Sequence, residues 1–86
     1  MAVFAIIAQQ NSTALQLAVN EKFTVNYFLG GAQWLVSAEP TLTPQDVATK
    51  LGAEKGALGK VLVVTVSNYW GYHEANLWPW LKANMS

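Results

Sequence analysis

Apolar and polar positions fall along this chain in blocks, and each block has its own period. Val3 to Ala8 is a continuous apolar run with β-branched members. It stops at the polar cluster Gln9-Gln10-Asn11-Ser12, so a strand is predicted, followed by a turn and a helix N-cap. From Ser12 onward Leu15, Ala18, Val19 and Phe23 recur at helical spacing with no Pro or Gly between them, which predicts a short first helix. Thr24 to Leu29 and Ala32 to Ala38 are β-prone runs on either side of Gly30-Gly31. A diglycine reaches positive φ without a Cβ clash, and the two runs therefore predict a β-hairpin.

Thr43-Pro44-Gln45-Asp46 carries the most specific local signal. Thr43 can cap a helix, Pro44 suits its first position, and Asp46 can reach back to complete a capping box, with Leu42 and Val47 placed as a hydrophobic staple. Gly52 predicts the end of that second helix, and Lys50 favours the negative end of its dipole. Residues 53–59, with Gly56 and Gly59, read as an exposed loop. Lys60 to Asn68 (KVLVVTVSN) predicts a last strand. Asn76 is the expected cap of a final helix running to about Asn84, where Pro79 falls in the first turn and removes no intrahelical bond.

The predicted order is βαββαβ plus a C-terminal helix, within a single domain over residues 1–86. That order is most simply satisfied by an α+β, ferredoxin-like split βαβ sandwich. It has a four-stranded antiparallel sheet, the first and third strands central and two helices on one face. A sheet with one wet face should alternate apolar and polar residues, yet these strands do not. Val3, Ala5 and Ile7 oppose Phe4, Ile6 and Ala8; Leu62, Val64 and Val66 oppose Val61, Val63 and Thr65. The second face is therefore expected to be covered, because large contiguous apolar surface is unusual on a soluble monomer. Leu77, Trp80 and Leu81 of the last helix form a stripe too short for four strands, so a symmetric homodimer through the sheet face is expected.

Composition strengthens the case for association. A chain of 86 residues has a thin core, and with no Cys and one His neither a disulfide nor a structural metal or other cofactor is expected to brace it. Five Lys, five acidic residues and no Arg give a formal net charge of zero, which does little to keep copies apart and disfavours nucleic acid as a partner. The opening MAVFAIIA lacks a basic leader and is too short to span a bilayer, so no membrane segment is expected and a cytoplasmic address is the default.

Candidate chemistry concentrates in residues 67–82, SNYWGYHEANLWPWLK. Two readings stand side by side. In one, Trp78 and Trp80 anchor the terminal helix while Tyr69 and Trp70 finish the last strand, and Gly71 lets the chain turn off the sheet. In the other, Tyr69, Trp70 and Tyr72 line a cleft and stack on a planar or sugar ligand, with His73 adding a titratable hydrogen bond. A triad of Ser67, His73 and Glu74 has no supporting nucleophile elbow, and the remaining acids are scattered, so no catalytic and no metal-binding residue is assigned.

Through Gln33-Trp34-Leu35-Val36, Ser67-Asn68-Tyr69-Trp70-Gly71 and Leu77-Trp78-Pro79-Trp80-Leu81-Lys82, the chain resembles a group of small uncharacterised bacterial and phage proteins. More distantly it is similar to ferredoxin-like dimeric endoribonucleases, the CRISPR-associated ones and a related antitoxin. That resemblance implies a dimeric fold. The acidic residue that the CRISPR-associated group carries after its first strand is replaced here by Ala8-Gln9-Gln10. The expected function is thus a small non-enzymatic homodimeric interaction module with a protein partner. The alternatives are a degenerate or metal-dependent nucleic-acid-processing dimer and a small-ligand-binding regulatory domain.

Overall fold

The computed structural model describes residues 1–85. Its elements run as β1 (Ala2–Ala8), α1 (Thr13–Lys22), β2 (Asn26–Gly30), β3 (Gln33–Ala38), α2 (Pro44–Leu51), β4 (Val61–Val66) and α3 (Leu77–Asn84). The sheet order is β2-β3-β1-β4 with every neighbouring pair antiparallel. This is the ferredoxin-like split βαβ arrangement, with the first and third strands in the middle.

Both faces of the sheet bury apolar side chains, as the absence of alternation predicts. On one face Phe4, Ile6 and Ala8 of β1 and Trp34 and Val36 of β3 lie under Leu15 and Val19 of α1 and Val47 and Leu51 of α2. On the other, Val3 and Leu35 are buried beneath Leu77 and Leu81 of α3. The cover on this second face is partial. Ile7 and Leu62, paired across β1 and β4, remain 41% and 58% exposed.

Local signals explain where the helices begin and end. The Leu15 amide donates to Ser12 Oγ at 3.1 Å, and Gly52 takes φ 78° at the end of α2. Gly30 and Gly31 both adopt positive φ at the hairpin. At α2 the capping box is complete: the Thr43 amide donates to Asp46 Oδ2 at 2.8 Å and the Asp46 amide to Thr43 Oγ1 at 3.1 Å.

These bonds, the backbone one foremost, hold the Asp46 carboxyl below its ordinary 3.8. A carboxylate depressed in the native state stabilises the fold above its unfolded pKa, and the gain disappears as pH falls through the folded value. Asp46→Asn should therefore be less stable than the parent chain near neutral pH. The difference should shrink below about pH 4; denaturant midpoints measured across that range check it.

Two strand boundaries differ from expectation by two residues, each for a local reason. β2 starts at Asn26 and not at Thr24, because the Asn26 amide side chain ties back to the Phe23 carbonyl at 2.8 Å. β4 ends at Val66, since Asn68 Oδ1 takes the Tyr69 amide at 2.9 Å and the chain leaves the ladder. Asn76 stands at the cap position of α3 as expected but makes no side-chain bond, because its backbone is helical (φ -70°, ψ -20°) where a capping residue is extended, and because Pro79 at the third helical position has no N–H to donate.

Candidate functional site

The segment between β4 and α3, residues 67–76, contains neither helix nor strand and forms a strap on the second face of the sheet. Three contacts hold it. The Tyr69 ring lies nearly parallel to Trp78, 14° between planes and 6.1 Å between centroids. His73 Nε2 stands 3.3 Å from the Leu29 carbonyl oxygen of β2. The Tyr27 hydroxyl donates to Glu74 Oε1 at 3.2 Å, next to a tilted Tyr27–Trp80 ring contact.

The bonds of His73 fix its tautomer. Its Nδ1 accepts the Glu74 amide at 2.8 Å, so the proton sits on Nε2 and is donated to Leu29. Both ring nitrogens are thereby used within the chain, and the imidazole works as a tether. The Tyr27 phenol is raised above its ordinary 10.0, first by removal from water and then by the Glu74 carboxylate that takes its hydrogen bond.

Trp70 and Tyr72 are 99% and 102% exposed, while Tyr69 is 41% exposed and leans on α3. All four candidate residues, Tyr69, Trp70, Tyr72 and His73, line one apolar hollow of about 270 Å³. Its remaining walls are Leu35 and Val66 of the sheet, Leu29, and Leu77, Trp78 and Leu81 of α3. That volume lies just below the roughly 300–1,000 Å³ of ordinary ligand pockets. Gly71 has an ordinary φ and open space where a Cβ would stand, so the turn off the sheet does not depend on it.

The strap thus brings the predicted residues to one hollow, and the titratable groups beside it are engaged with other parts of the chain. No group of three His, Cys, Asp or Glu residues able to hold a metal ion occurs among the described residues. Asp46 is engaged in the cap, and Glu54 accepts the Thr49 hydroxyl at 3.0 Å. His73 spends Nε2 on Leu29 and not on Ser67. No helix among the described residues is long and apolar enough to cross a membrane.

Sequence reasoning did not single out Tyr27 and Leu29. Strand parity puts Tyr27 on the same face as its pair Leu35, but nothing local announces a bond to Glu74, 47 residues away. No protein-family model matches the chain, and no curated protein or solved structure matches it.

Proposed function

We propose that the chain is a small, non-enzymatic, homodimeric interaction module that seats a protein partner on its aromatic strap. The observation behind this reading is the full exposure of Trp70 and Tyr72 on a segment tethered at Tyr69, His73 and Glu74. Two large rings held in water by a braced backbone cost little further ordering when a partner covers them, and Trp and Tyr dominate binding hot spots. Burying both removes on the order of 300–500 Å² of surface from water.

Trp70→Ala/Tyr72→Ala should leave unfolding stability within about 0.5 kcal/mol of the parent chain, since neither ring is packed. The same variant should lose the partner that the parent chain retains from a cell extract. Equal retention by both rules out the strap as the binding surface. A sedimentation mass of 9.4 kDa would remove the homodimer. RNA cleavage that needs Mg²⁺ and is lost in His73→Ala or Glu74→Ala would replace this reading with the nucleic-acid-processing one. The hollow of about 270 Å³ supports a second reading, a small planar ligand or sugar. Quenching of Trp fluorescence on titration with nucleotides or sugars decides for it.

A further inference from the structure

Residues along an antiparallel pair alternate between those whose N–H and C=O point at the neighbouring strand and those whose groups point away. The Gln9 amide donates to the Lys60 carbonyl at 3.1 Å, and the β1–β4 register carries that parity along the strand. Leu62, Val64 and Val66 therefore face β1, whereas Val61, Val63 and Thr65 turn their N–H and C=O outward. β4 ends the sheet, and no described strand lies beyond it. Its sequence VLVVTV carries no charge and no Pro, and its pairing with β1 is free of bulges. These are the devices by which edge strands normally resist pairing. The opposite edge is protected: β2 has an irregularity between Phe28 and Gly30, and its Leu29 carbonyl is capped by His73.

We propose that β4 pairs antiparallel with the β4 of a second copy of this chain, in the register that sets Val63 opposite its own counterpart. The result is one continuous eight-stranded sheet. The inference rests on the homodimer reading and moves the contact from the sheet face, which α3 and the strap partly cover, to the sheet edge.

Symmetry narrows the register. About a two-fold axis perpendicular to the sheet, paired side chains must point to the same face, so one residue has to lie opposite itself. Centring on Val63 pairs Val61 with Thr65 in both directions, and every outward N–H and C=O of the three residues finds a partner. Centring on Leu62 instead sets Thr65 against Gly59, outside the strand. In the Val63 register Leu62 meets Val64 of the second copy, and the uncovered Ile7–Leu62 row continues into apolar residues. Charge permits the match as well. Lys60 falls opposite Val66, and the two Lys60 side chains start roughly 20 Å apart along the strands, well beyond a Debye length of about 8 Å.

Hydrogen exchange on the unaltered chain, read with its sedimentation mass, tests the pairing. A dimeric mass with slow exchange at Val61, Val63 and Thr65 as well as at Leu62, Val64 and Val66 is the expected result. Because the chain has no Cys, oxidation of single-Cys variants gives a register check. Leu62→Cys mixed with Val64→Cys should cross-link, while neither does so alone, since each then faces its counterpart only diagonally. A dimeric mass with fast exchange at the three outward amides and no mixed cross-link overturns edge pairing and leaves the homodimer standing. A monomeric mass overturns both and leaves the edge open to a foreign strand.

Discussion

Phe4→Ala should lower the free energy of unfolding by about 3–5 kcal/mol. Phe4 is buried in the central strand β1, between Val36 of β3 and Thr65 of β4 and beneath the two helices of the first face. An 86-residue domain has roughly 4–13 kcal/mol of net stability in all. The substitution should therefore leave a marginal fold, read as a large drop in denaturant midpoint. Phe4→Leu keeps most of the volume and should cost less than the alanine variant. A loss below about 1 kcal/mol for Phe4→Ala would mean that this face is not the main core.

Leu81→Ala is expected to release α3 and leave the sheet standing. An eight-residue helix is not stable alone in water, so α3 persists because Leu77 and Leu81 are buried against Val3 and Leu35. Removing the Leu81 side chain takes about 2–5 kcal/mol from that docking. The Tyr27–Trp80 and Tyr69–Trp78 ring contacts that remain are each worth only about 0.5–1.5 kcal/mol. Trp emission should shift to the red at denaturant concentrations where the far-ultraviolet signal of the sheet is still native. Coincident transitions in the variant would show that α3 unfolds only with the whole domain.

What could be read from the sequence was local or periodic. The box at Thr43 and Asp46, the Gly52 cap and the Gly30-Gly31 turn need only a few neighbouring residues, and each stands where its chemistry demands. The apolar parity of β1 likewise announced two buried faces, whereas the same parity in β4 left no residue buried. The candidate site was legible as composition only. That Tyr69, Trp70, Tyr72 and His73 would share a hollow followed from their closeness along the chain, but the use of His73 depends on Leu29, 44 residues earlier. Asn76 looked like a cap because Asn is a good one, and it does stand at that position, but its helical backbone and the missing N–H of Pro79 leave its side chain no amide to accept from.

The unequal edges of the sheet set a ceiling on how far it can grow. An irregular ladder and a capped carbonyl at β2 leave β4 as the more open margin among the described strands, so a strand that docks there takes the readier vacancy. Stacking of copies end over end, the route from exposed ribbons to filaments, needs two such margins. A concentrated solution of this chain should stop at a finite size.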